Sequence, residues 1–121
     1  MSSPIAGGPQ IDHPKAADYA NRWFVVDEQQ VWLSDADLST IEIDLRHGML
    51  VLKAPGMLRM DIPLDVIEDD ESVWMTATVA GQSTDVVDEG DLAAVWFGHV
   101  LGRPCRLMKV RPDASMPDFK V

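Results

Sequence analysis

Several absences narrow the field before any motif is read. Only one cysteine, Cys105, is present, so an intramolecular disulfide and a thiolate zinc site are both excluded, in keeping with a reducing compartment. Bases are scarce: ten Lys and Arg stand against twenty Asp and Glu, a formal net charge of −10. A field of that sign repels phosphate backbones, so nucleic acid is not an expected partner. No hydrophobic run approaches the length of a bilayer span, and residues 1–9 lack the basic flank and apolar stretch of a secretory leader. The expectation is a cytoplasmic protein without a membrane partner.

Catalytic patterns are equally thin. His13, His47 and His99 share no short spacing, so a common metal site is not expected. Ser72, Ser83 and Ser115 lack a nucleophile elbow, and no glycine-rich phosphate loop links a strand to a helix. Cys105 follows Pro104 and reads as a small buried thiol; Arg103 and Arg106 are the neighbours that could activate it. Trp74 and Trp96 read as core. Five of the seven residues 65–71 are acidic, which reads as a solvated loop, because a calcium loop alternates its oxygen ligands and turns on a glycine. The bases Arg103, Arg106, Lys109 and Arg111 read as one solvated strand; an anion or partner-docking strip is the alternative. No catalytic, cofactor-binding or metal-binding residue emerges, and no cofactor is expected.

What is present is one domain's worth of chain, 121 residues, 46% hydrophobic and 25% charged. Residues 1–18 show neither helical nor strand period and read as a mobile or loosely packed arm, with a domain at 19–112 and a tail at 113–121. Residues 23–26 and 31–33 suggest a hairpin around a short polar turn. Ile41, Ile43 and Leu45 alternate with Glu42, Asp44 and Arg46, the signature of a half-buried strand. His47 and Gly48 turn the chain into a partner strand at 50–54. Pro55 and Gly56 then suit a type II turn leading to a third strand that ends near Pro63. Residues 73–79 alternate again, Gly81 to Ser83 should turn, and residues 105–111 form a last strand.

Between these lies one helix, residues near 89–101, with Asp88 as N-cap, Glu89 and Asp91 in the first turn, and Gly102 and Pro104 as stop signals. Ala93, Trp96, Phe97, Val100 and Leu101 recur at helical spacing and must be buried. The fold class is therefore mainly β: a small β-barrel of about six or seven strands, or a strongly curled sheet, with one late α-helix; a sandwich with a peripheral helix is the alternative.

Several segments together resemble one known module. They are residues 22–28, Trp32-Leu33-Ser34 with Leu38, residues 54–57, and residues 88–112 with Gly90-Asp91, Ala94, Trp96 and Leu101-Gly102-Arg103-Pro104. The module is the N-terminal β-barrel domain that precedes the MOSC domain, the C-terminal domain of molybdenum cofactor sulfurases. The resemblance implies a β-barrel with a late helix, in the orbit of molybdenum-cofactor or sulfur-carrier proteins. In that family the module begins with Tyr-Pro-Val-Lys-Ser and leads into a domain with a catalytic cysteine; neither pattern is found here, and Cys105 lies inside the module. The family's cofactor-facing arginines align with Asn21 and Ala36. The expected function is a non-enzymatic, stand-alone binding or interaction module, with a MOSC-type or molybdenum-cofactor enzyme as protein partner. The alternatives are an accessory subunit completing an active site with a separate MOSC-type chain, and a small-ligand binder at the barrel mouth.

Overall fold

The structure, a computed structural model, describes residues 2–65 and 71–119; most of the acidic run at 65–71 lies outside them. Among the described residues, seven strands and one α-helix make up the fold: β1 (Trp23–Val26), β2 (Glu42–Arg46), β3 (Met49–Lys53), β4 (Met60–Pro63), β5 (Trp74–Val79), β6 (Gln82–Asp88), α1 (Asp91–Leu101) and β7 (Arg106–Val110). No helix among the described residues is long and apolar enough to cross a membrane.

The strands form two antiparallel sheets, in the orders β1-β7-β6-β5 and β2-β3-β4, rather than one closed barrel. Pro63, the last residue of β4, has no N–H to offer a further strand, while the pairing with β3 runs one bond past it, Leu64 N–H to Gly48 C=O (3.0 Å). The larger sheet nonetheless curls until its two outer strands are bridged. Residues 30–33 meet β1 through Asp27 N–H to Val31 C=O (2.9 Å) and Leu33 N–H to Val25 C=O (2.9 Å). They meet β5 through Trp32 N–H to Thr78 C=O (2.8 Å) and Thr78 N–H to Gln30 C=O (2.9 Å). The expected hairpin at 23–33 thus exists, and its second arm is shared between both edges.

That curl explains why β1 reads as an unbroken apolar run. Its four residues are all buried, because each face of the larger sheet meets a core. Phe24, Val26, Val79, Val86 and Met108 fill one cluster, sealed by Phe119, whose ring stands edge-on to Phe24 (5.4 Å) and Trp32 (5.1 Å). Trp23, Val25 and Leu107 point the other way, into a second cluster with the smaller sheet and α1. Burying both faces removes far more apolar surface from water than a one-sided sheet of this size could.

The smaller sheet follows the sequence reading closely. Ile43 and Leu45 are buried between exposed Glu42 and Arg46, and β2 turns into β3 through His47 (φ 54°) and Gly48 (φ 73°). Both left-handed conformations are needed for a turn that matches strand twist. Met57 N–H donates to Ala54 C=O (3.1 Å) across Gly56 (φ 74°), the type II turn expected there.

Three expectations need correction. The helix starts at Asp91 with Gly90 (φ 105°) as N-cap, because the Asp88 side chain is occupied otherwise: its Oδ1 accepts the Gly90 N–H (2.8 Å) and Oδ2 accepts from Arg106 Nε (2.6 Å). The turn after β5 falls on Ala80 (φ 50°) and Gly81 (φ 81°) rather than on residues 81–83, so residues 82–88 form a full strand. Residues 4–6 of the expected arm line the start of β1, with Trp23 N–H to Pro4 C=O (3.0 Å), Ala6 N–H to Trp23 C=O (2.8 Å) and Ile5 fully buried. An irregular segment docked through two residues carries no period, which is why no pattern announced it.

Candidate functional site

The site is set by the helix and by what anchors it. Phe97 is fully buried and Trp96 nearly so, their rings edge-to-face at 5.1 Å. Trp96 Nε1–H donates to Leu58 C=O (2.8 Å), tying the helix to the β3–β4 turn. At the other end Gly102 in the left-handed conformation (φ 68°) gives its N–H to Gly98 C=O (2.9 Å), the expected stop.

A polar seam fixes the helix entry. Arg106 on β7 holds Asp88 through two nitrogens and Asp91 through one (2.8 Å). These bonds push the guanidinium above its ordinary range, with Asp88 the first cause and Asp91 the second. Glu89 accepts the Trp23 indole N–H at 2.7 Å. Lys109, opposite Trp23 in the β1–β7 register, is buried; its ammonium donates to Leu64 C=O and lies 5.3 Å from the Trp23 ring centre. The four bases 103–111 are therefore not a solvated strand. Arg103 meets Asp35 (3.8 Å), and Arg111 meets Asp113 (3.0 Å) and covers Trp74 at 4.1 Å. Trp74 itself is 37% exposed, correcting its expected place in the core: it shares the outward face of β5 with Thr76 and Thr78.

With Ala93, Trp96 and Phe97 turned inward, α1 presents Leu92 (77% exposed) and Val95 (58% exposed) outward, beside Leu58 (88% exposed) on the β3–β4 turn. These three large aliphatics form one exposed apolar patch. A groove of about 570 Å³ runs between Met57, Leu58 and Met60 on one side and Leu92, Val95 and Trp96 on the other. A second, about 770 Å³, lies across the helix between Ala94, Gly98 and Gly102 and the turn at Asp27 and Glu28. Val95 and His99 line both, forming a ridge between two troughs. Reading the sequence missed this face, although the signal was there: apolar residues run almost around the helix, more than one buried stripe can use.

Cys105 forms part of the wall of the larger groove. It is buried, and that burial raises its thiol above the ordinary range against a smaller lowering by Arg103, a setting that favours the unreactive thiol form. Cys105→Ala should change stability only modestly, by about 1 kcal/mol, and the native thiol should alkylate slowly at neutral pH; rapid labelling of the folded protein contradicts this. Among the described residues no group of three or more His, Cys, Asp or Glu is placed to hold a metal ion.

The two positions that align with cofactor-facing arginines lie elsewhere. Asn21 sits in a left-handed turn (φ 56°) just before β1, and Ala36 packs against the larger core cluster. Next to Asn21, Arg22 lines a pocket of about 590 Å³ with Lys109, but Asp18 and Asp65 line it too, so its two cations face two carboxylates. Tyr19 closes that pocket, donating its hydroxyl to Asp65 Oδ2 at 2.6 Å. The Asp65 hydrogen bond, followed by burial and the carboxylates of Asp65 and Asp18, pushes the phenol from 10.0 up to about 12. Since the folded value is raised, the neutral phenol's contribution to stability is complete below pH 10 and is lost as pH rises through about 12. Tyr19 is the sole tyrosine, so tyrosinate absorbance reports it alone; Asp65→Asn should bring the midpoint down, and an unmoved midpoint counts against this contact.

No family model matches the chain. The molybdenum cofactor sulfurase of Danio rerio is 31% identical over 106 residues, 83% of this chain but 13% of the relative. That of Homo sapiens is 33% identical over 97 residues, 75% of this chain and 11% of the relative. The chain thus spans only about an eighth of the length of these relatives. A solution structure of a protein from Bordetella bronchiseptica is 51% identical, with a TM-score of 0.73, covering 87% of this chain and 83% of that one. The resemblance read over residues 20–112 is thereby borne out, as is a mainly β fold with one late helix.

Proposed function

The chain belongs to the family of that Bordetella bronchiseptica protein, and we propose a non-enzymatic module that works by holding a protein partner. Likeness to molybdenum cofactor sulfurases points to the orbit of that partner: a MOSC-type chain or a molybdenum-cofactor enzyme. The observation that carries the reading is the outward face of α1, where Leu92 and Val95 stand exposed beside Leu58 along the smaller groove and Val95 also borders the larger one. Such a face fits recognition by apolar contact, with a few well-packed side chains supplying most of the binding free energy. The rigid anchoring of α1 through Trp96, Phe97 and Arg106 pre-forms it, which lowers the entropic cost of association.

The test is to mix the purified chain with a purified, separately encoded MOSC-type chain of the same genome and follow co-elution. One complex should form, and Leu92→Asp with Val95→Asp should abolish it while leaving the fold intact. Co-elution that survives both substitutions removes α1 from the interface.

Molybdopterin itself is not the proposed ligand. Its phosphate is met best by arginine forks or backbone amides, whereas the aligned positions carry Asn21 and Ala36, and the cations of the neighbouring pocket are balanced by Asp18 and Asp65. Titration of the domain with molybdopterin should give no saturable signal at micromolar concentration. Tight saturable binding overturns this and makes the module a cofactor carrier.

A further inference from the structure

Resting on the protein-binding reading, we infer that the surface received by α1 is basic as well as apolar: hydrophobic side chains that seat over Leu58, Leu92 and Val95, flanked by Lys or Arg that reach the Asp27–Glu28 turn. The fold leaves charge of one sign over on this face. Three arginines border the two grooves, and each is already neutralised within the chain. Arg59 is paired with Asp61 (3.0 Å), Arg103 with Asp35 (3.8 Å), and Arg106 with both Asp88 (2.6 Å) and Asp91 (2.8 Å). The acids of the rim are not balanced in the same way. Glu28 and Asp27 line the larger groove, and among the described residues no base forms an ion pair with either. Asp27 uses Oδ1 for the Gln29 and Val31 N–H groups (2.8 and 3.0 Å), which fixes its carboxylate in place. Asp88 and Asp91 share the single cation of Arg106, which leaves one negative charge over at the foot of the same helix, where the Asp91 side chain is 93% exposed.

The surplus on this face is therefore negative, and the whole chain reinforces it with its net charge of −10. A second copy of this chain would bring the same sign to the same rim, so self-association is disfavoured where a basic partner is steered in. Anionic lipid is disfavoured on the same ground. A basic amphipathic segment matches both halves of the face, because apolar anchors at helical spacing can lie in the trough beside Leu92 and Val95 while its cations point to the rim.

The experiment uses the full chain and three designed peptides: an amphipathic leucine–lysine helix, the same helix with glutamate for lysine, and a lysine-only peptide. Binding is read from backbone amide shifts. The leucine–lysine peptide should shift Leu58, Leu92, Val95 and His99 together with Asp27 and Glu28, and bind more weakly as salt is raised. Asp27→Asn with Glu28→Gln should weaken it roughly fivefold; the first of these substitutions keeps a side-chain oxygen to accept the two turn N–H groups. Leu92→Asp with Val95→Asp should weaken it about thirtyfold or more, and Leu58→Asp, on a separate element, should act in the same direction.

The outcomes tell the two readings apart. If the leucine–glutamate peptide maps to α1 as tightly, the face binds protein but the inferred charge is wrong. If the leucine–lysine peptide shifts acidic residues all over the surface and ignores the aspartate variants, there is no site and both readings fall. Both fall equally if no peptide reaches α1 and the chain instead dimerises through it.

Discussion

Phe97→Ala is expected to lower the stability of the domain by about 3–5 kcal/mol, the cost of emptying a fully buried aromatic position that its surroundings can only partly refill. Against the few kcal/mol that a domain of this size has to spare, the variant should be close to unfolding at ambient temperature. Trp96→Ala should cost as much for a second reason: besides volume, it removes the indole N–H that holds Leu58 C=O at 2.8 Å. That bond joins the helix to the β3–β4 turn, so the loss should also free Leu58 from its place beside Leu92. Trp96→Phe separates the two effects, keeping most of the packing and losing the bond. Thermal melts of the three variants decide the matter. If Trp96→Ala or Phe97→Ala melts within a degree or two of the parent, α1 does not pack as described.

Removing Trp23 is the second large effect, because this side chain meets three things at once. It is fully buried, it stacks with Tyr19 at 6.1 Å, and it carries the buried Lys109 ammonium 5.3 Å from its ring. Its N–H is also the donor to Glu89. Trp23→Ala should therefore cost at least as much as Phe97→Ala, about 3–5 kcal/mol or beyond. The informative partner is Trp23→Phe, which retains an aromatic face for Lys109 but leaves Glu89 without that donor, for an expected loss of about 1–3 kcal/mol. Denaturant melts compared across Trp23→Phe, Glu89→Gln and the double variant should show coupling between the two positions. Strict additivity would mean that the indole–carboxylate bond adds nothing.

The contrast between what could and could not be read from the residues has a physical cause. The smaller sheet was legible because it is local: Ile43 and Leu45 face one side, Gly48 and Gly56 supply left-handed backbone, and each strand pairs with the next in sequence. The helix was legible from Trp96 and Phe97, but its first residue was not. Asp88 looks like an N-cap, and only tertiary structure reveals that Arg106 claims it. Lys109 was misread for the same reason. Within Leu107-Met108-Lys109-Val110 a lysine suggests an open face, yet the aliphatic stem lies inside and the ammonium finds Leu64 C=O from another element. Leu92 and Val95 were legible as apolar and illegible as exposed, because no local pattern says which side of a helix apolar almost all round meets the core.

The order of strands in the larger sheet has a bearing on how the chain reaches this state. β7 lies between β1 and β6, so Trp23 finds its partner Lys109 only once every strand between them in the sequence has been made. Until then β1, apolar on both faces, can lean only on the nearby residues 4–6 and 31–33. The β2-β3-β4 meander needs no such wait, since its pairings close over short loops at little entropic cost. Folding should thus proceed from the small sheet outward, with insertion of the last strand as the slow, topology-limited event. During synthesis that leaves Trp-Phe-Val-Val as an exposed sticky segment for as long as the ribosome takes to deliver β7, the interval in which the nascent chain is most prone to aggregate.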